Sequence, residues 1–130
     1  MNFVWNNKYS VGVSVIDEQH KPIIDLLNEL HKSIESIDIK SVAKRSLEYT
    51  KTHFAFEEEL MSRYKYDLLT EHKGQHDRFI NMILAFINNI ESNSAKVNAR
   101  MVLVRWFIDH ITSNAMDKKL GVFLKGHGLK

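Results

Sequence analysis

Five histidines and one glutamate fall on the inward stripes of four successive helical segments: His20, His53 with Glu57, His72 with His76, and His110. A helical core should be apolar, and a buried imidazole without a partner costs roughly 1–3 kcal/mol. A chain that turns all six groups inward folds only if something satisfies them together. A metal centre is the simplest such partner, and nitrogen-rich ligation with a bridging carboxylate points to iron.

The spacing sharpens this reading. His53 and Glu57 are four residues apart, as are His72 and His76, so each pair shares one helix face within reach of a common ion. A lone His-x-x-x-His pair is a weak signal. Two pairs on core stripes, with His20 and His110 on the remaining helices, form a strong one. Imidazole suits iron, copper, zinc or nickel. Five histidines exceed what one ion needs beside a carboxylate, so two ions are expected. His31 reads as a core or boundary residue and His127 as a solvated one.

Residues 1–16 read as an extended arm, because Gly12 and the β-branched residues oppose helix, and Phe3, Trp5 and Tyr9 would pin it to the body of the protein. Asp17 is the expected N-cap of a first helix from about Glu18 to Ile37, which places Pro22 near the first turn. A second helix is expected from about Ser41 to Tyr64 and a third from about Glu71 to Glu91, capped by Thr70. After a loop at Ser92-Asn93-Ser94, a fourth capped by Ser94 carries Met101, Leu103, Val104, Trp106, Phe107, His110 and Ile111. The tail, 121–130, is expected to fray or fold back. The fold class is all-α: an up-down-up-down antiparallel four-helix bundle over about 17–120, within a single domain, 1–130. Antiparallel packing sets the start of one helix beside the latter part of the next, so all six groups can meet at one level.

Composition closes other routes. The chain has no cysteine, which excludes disulfides, zinc-thiolate sites and thiol catalysis. The net charge is only +2, with lysines spread along the chain, so neither nucleic acid nor a membrane surface is an expected partner. The N-terminus lacks a signal-peptide core and no apolar run is long enough to span a bilayer. A cytoplasmic protein, monomer or weak oligomer, is expected.

The segments VSVIDEQH (13–20), HFAFEEELM (53–61), HKGQHDRF (72–79) and WFIDHI (106–111), with the Trp5 arm, resemble the hemerythrin family in its single-domain bacterial form. Their order and spacing cover nearly the whole chain. The resemblance implies two iron ions, oxo- or hydroxo-bridged. His72, His76 and His110 would hold one, His20 and His53 the other, and Glu57 would bridge them. It implies dioxygen as the ligand, bound reversibly for transport, storage or sensing, at the iron with two histidines. Ile23, Phe54 and Trp106 match positions that line the family's oxygen pocket. A sensory role would require a partner protein, since no output domain is present.

One departure stands out. The family pattern places a second bridging aspartate five residues after the fourth-helix histidine, where this chain has Ala115. Asp117 is seven residues on, which reads as a two-residue insertion. Seven residues of helix rise about 10.5 Å against about 7.5 Å for five. Asp117 can therefore reach the irons only if the helix bulges, as in a π-type turn, or ends early. The alternative function is a di-iron enzyme or scavenger acting on peroxide or nitric oxide. Histidine-rich ligation opposes it, because oxygen-activating di-iron sites use more carboxylates.

Overall fold

The computed structural model describes residues 3–32, 39–88, 93–113 and 116–130, with the side chains of all of these except 31, 32, 39 and 93–100. Four long helices, α1 (Ser14–Lys32), α2 (Ile39–Arg63), α3 (Leu69–Asn88) and α4 (Asn93–Thr112), pack as an antiparallel up-down-up-down bundle. A 3-10 turn, Asn7–Tyr9, precedes them and a short helix, α5 (Asp117–Gly126), follows. The described residues contain no strand.

The buried faces follow helical periodicity. On α1 they are Ile16, His20, Ile23, Ile24, Leu27 and Leu30. On α2 they run from Val42 through Leu47, Thr50, His53, Phe54 and Glu57 to Leu60 and Met61. On α3 they are His72, His76, Phe79, Ile83, Phe86 and Ile87, and on α4 Leu103, Val104, Phe107, His110 and Ile111. Met101, grouped above with the core of the fourth helix, instead faces solvent. α4 already begins at Asn93, so Ser94 lies inside its first turn rather than in a loop or at the cap; the His31 assignment and the ends of the first and third helices lie outside the described residues or side chains.

The apolar core is divided in two. A larger cluster joins Tyr9 to Ile23, Leu27, Phe54, Phe79, Ile83 and Phe107. A smaller one joins Val11, Val13 and Ile16 of the arm and α1 to Leu60, Met61, Tyr66, Leu120 and Leu124. On α1, His20 falls between Ile16 of one cluster and Ile23 of the other; on α2, Glu57 falls between Phe54 and Leu60. The buried polar layer lies where the apolar core is interrupted.

The smaller cluster explains why α1 begins a turn earlier than its sequence suggests. Val13 and Ile16 are fully buried, and Val13 accepts the first helical bonds, from Ile16 N and Asp17 N at 3.1 and 3.0 Å. Asp17 is therefore inside the helix rather than its cap. Its carboxylate accepts from Ser10 Oγ at 2.6 Å and Val11 N at 2.9 Å, fastening the arm. Pro22 then lies in the helix interior, where its missing N–H gives up the bond to the Glu18 carbonyl. Asn28 clamps the arm further on: it accepts from Phe3 N at 2.8 Å and donates to Phe3 O at 2.7 Å.

Helix ends also depart from simple capping. Thr70 is exposed in the first turn of α3 and Leu68 O accepts from His72 N. The α2 terminus closes through Tyr66 N to Met61 O and Lys65 N to Ser62 O, with Lys65 at φ 58° where glycine is usual.

The C-terminal tail neither frays nor runs loose. α5 packs Leu120 and Leu124 into the smaller cluster, and Gly128 at φ 94° closes it, with Leu129 N bonded to Leu124 O at 3.1 Å. The Lys130 carbonyl then accepts from Ser14 N at 3.0 Å, joining tail to α1. Gly121 lets α5 approach the arm, since a Cβ there would overlap the Val11 carbonyl. Gly121→Ala is expected to cost at least about 2 kcal/mol through overpacking, read as a lower urea midpoint. An unchanged midpoint would show that α5 does not rest on Val11.

Candidate metal centre

His20, His53, Glu57, His72, His76, His110 and Asp117 come together, all buried, at one level of the bundle. Helical phase brings six of them: one histidine from α1, a histidine and a glutamate one turn apart on α2, two histidines one turn apart on α3, and one on α4. Asp117 arrives differently. α4 ends at Thr112 and a new helix starts at Asp117, after Met116 at φ −116°, ψ −104°. The chain therefore ends its helix and restarts, and no π-turn occurs among the described residues. With α4 ended and a new helix begun, the Asp117 carboxylate lies at the level of His110, 2.9 Å from its Nε2.

Each carboxylate divides its oxygens between two groups of imidazoles. Glu57 Oε1 lies 3.4 Å from His72 Nε2 and 3.2 Å from His76 Nε2. Glu57 Oε2 lies 3.0 Å from His53 Nε2 and 3.4 Å from His20 Nε2. Asp117 Oδ1 lies 2.9 Å from both His72 Nε2 and His110 Nε2, and Oδ2 lies 3.1 Å from His20 Nε2. Two donor sets result, Glu57 with His72, His76, His110 and Asp117, and Glu57 with His20 and His53; within each, the donor atoms lie within 4.8 Å of one another.

These donors fit a cation better than they fit each other. Despite the short distances, the Nε2 atoms of all five histidines, both Glu57 oxygens and Asp117 Oδ1 lack a well-directed hydrogen bond. Buried polar atoms are seldom left so. Donors around an ion at about 2.1 Å stand roughly 3 Å apart, which matches the separations here.

The electrostatics follow from this crowding. Burial alone would lower the pKa of His20, but Asp117 and Glu57 outweigh it and raise it to about 9. The same opposition raises His72 to about 10. His76 is raised as Glu57 and Glu58 overcome its burial, whereas burial prevails at His110 and lowers it. Burial would push Glu57 and Asp117 upward, yet the surrounding imidazoles hold both well below the usual carboxylate range. Without a metal, protons on His20 and His72 supply the positive charge that the carboxylates require.

The surroundings are aromatic. Phe54 stacks on His76, 3.7 Å between centroids and 2° between planes. Trp106 stacks on His110 at 4.8 Å and on Phe79 at 4.6 Å. Ile23 and Trp106 line separate spaces. Ile23 borders an interior cavity of about 10 Å³, room for about one water-sized molecule. Half-buried Trp106 borders an outer cleft with Gln75, Asp109, His110 and Met116. Two contacts go beyond the sequence reading: Gln19 Oε1 lies 2.7 Å from His53 Nδ1 and Glu58 Oε2 lies 2.9 Å from His76 Nδ1. Their only sequence signal is adjacency, Gln19 before His20 and Glu58 after Glu57.

Known proteins resemble this chain in sequence and in fold. The family model described as the hemerythrin HHE cation binding domain matches residues 11–116. A bacteriohemerythrin of Stenotrophomonas maltophilia is 35% identical over 128 residues, covering 95% of this chain and 82% of the relative. One from Pseudomonas aeruginosa is 32% identical over 117 residues, covering 87% and 76%. A solved hemerythrin point mutant superposes with a TM-score of 0.81 at 24% identity, over 92% of this chain and 95% of its own. With the matched segment spanning most of the bundle, the chain belongs to the hemerythrin HHE cation-binding family.

Proposed function

We propose that this protein binds dioxygen reversibly at a di-iron centre, for oxygen transport, storage or sensing. His72, His76 and His110 would hold one iron and His20 and His53 the other, with Glu57 and Asp117 as the carboxylates shared between them. The observation that carries this reading is the division of both carboxylates between the two imidazole groups, within a buried layer of the bundle. Iron bound there supplies electrons that dioxygen takes up on binding and returns on release. The bacteriohemerythrin names of the relatives favour the same ligand.

The residues divide the work. Five neutral imidazoles and two carboxylates give little anionic charge, which suits reversible binding more than oxygen activation. The third histidine on one side leaves the His20–His53 side with fewer protein ligands and room for a further one. Phe54, Phe107 and Ile23 keep bulk water from that side. Turnover of peroxide or nitric oxide is the alternative, and Asp117 beside His72 and His110 weighs against the opened site that would favour it. Ile23 and Phe54 are proposed to line the oxygen pocket; Trp106 instead borders the separate outer cleft beside His110. The compartment is proposed to be the cytoplasm and the whole chain one domain.

The visible spectrum of iron-reconstituted protein, cycled between argon and air, tests the proposal. Charge-transfer bands should appear in air and vanish under argon; bands that appear once and persist would shift the reading to the enzyme. His76→Ala should reduce iron from about two to about one per chain and abolish the reversible bands. Asp117→Ala should lower iron content and shorten the life of the oxygen complex. Unchanged iron and lifetime would remove Asp117 from the bridge.

The metal-free protein should show an unusual pH profile. Raised histidines stabilise the fold fully below their ordinary value of 6.5, and this is lost as pH climbs toward about 9 for His20 and about 10 for His72. His76 acts in the same sense and His110 in the opposite one. Glu57 and Asp117 contribute above their ordinary values of 4.5 and 3.8, and lose that contribution as pH falls through their lower folded values. Melting temperature should therefore peak near about pH 5–6 and fall toward pH 10. Metal binding displaces the protons, so the stabilisation gained on adding metal should grow with pH over the same range. A metal-free melting temperature that rises from pH 6 to 9 would contradict this.

A further inference from the structure

The two halves of the centre are supported from outside by unlike groups. His76 Nδ1 faces a carboxylate oxygen of Glu58 at 2.9 Å, and His53 Nδ1 faces the neutral amide oxygen of Gln19 at 2.7 Å. Among the described residues, only His76 of the five histidines has a carboxylate in ion-pairing distance of its Nδ1, and the Nδ1 atoms of His20 and His110 have no hydrogen-bond partner there. Both supports are anchored. Phe54 lies flat on the His76 ring, and the Tyr49 hydroxyl donates to the Gln19 backbone carbonyl at 3.1 Å, tying α2 to α1 beside His53.

An imidazole that donates its Nδ1–H to a carboxylate is a stronger donor at Nε2 than one that donates to an amide. The reason is electrostatic: as Nε2 gives its lone pair to a cation, the ring becomes more positive, and a negative partner stabilises that change. Glu58 is a quarter exposed, so its side chain meets solvent as that of Glu57 does not.

We propose that Glu58 and Gln19 make the two cation sites unequal: the Glu58 charge tightens the site of His72, His76 and His110, and the neutral Gln19 leaves the site of His20 and His53 the weaker. Glu58 is on this account a positioning and tuning residue for His76, and the inference rests on the two-cation reading above.

Titration of the metal-free full chain with Zn²⁺ against a competing chelator gives the two stepwise affinities. Wild-type protein should take up two ions; uptake of none or one overturns the two-cation reading itself, before any variant is made. Glu58→Gln retains an acceptor for His76 and removes only the charge. It should weaken the tighter site by about 10–100-fold and leave the weaker within about twofold. Gln19→Glu should tighten the weaker site by about tenfold. If Glu58→Gln binds like wild type while Glu58→Ala loses the tighter site, Glu58 serves only to orient the ring and the charge proposal is overturned. No change in either Glu58 variant overturns it as well. Far-ultraviolet circular dichroism of each metal-free variant separates altered affinity from failure to fold.

Discussion

Two ionised carboxylates in the interior of a small bundle govern the rest of this structure. Glu57 and Asp117 are both essentially without exposure, and buried charges are costly unless matched. Five imidazoles match them, each contributed by a helix that also spends its remaining inward positions on apolar packing. The polar layer consequently divides the core, and each apolar cluster closes one side of it. Bound cations would complete the balance that protons on His20 and His72 provide in their absence.

Much of this was legible from helical phase. The stripes that carry His20, His53, Glu57, His72, His76 and His110 are regular, so an imidazole on one of them must face inward. The choice of Glu57 over its neighbours Glu58 and Glu59 followed from its turn spacing to His53. What escaped periodicity was set by contacts distant in sequence. The start of α1 depends on Val13 and Ile16 meeting Leu60, Leu120 and Leu124, so Asp17 and Pro22 lie deeper in the helix than local capping signals imply. Asp117 reaches the layer through a helix break, and a count of residues along one continuous helix cannot represent that. α5 itself hides in a glycine-containing tail, where Gly121 is a contact surface for Val11 rather than a sign of looseness.

The inserted break and the terminal helix belong together. By ending α4 at Thr112 and restarting at Asp117, the chain makes this buried carboxylate the first residue of a helix, with Leu120 and Leu124 anchoring it one and two turns on. The arm, α5 and the start of α1 form one closure: Asp17 holds Ser10 and Val11, Gly121 rests on Val11, and Lys130 bonds Ser14. Rigidity there fixes Asp117, and Asp117 unites histidines of three helices. On the opposite flank, Glu58 and Gln19 give the histidines of α3 and α2 different outer partners, so near symmetry in ligand type need not mean equal metal sites.

The central claim is that this layer holds two cations, with both carboxylates shared between them. Anomalous diffraction at the iron absorption edge, from crystals of the iron-loaded protein, tests it directly. Two peaks about 3.5–4 Å apart, one beside His72, His76 and His110 and the other beside His20 and His53, with Glu57 and Asp117 between them, are the predicted result. A single peak, or iron located away from these side chains, would contradict it.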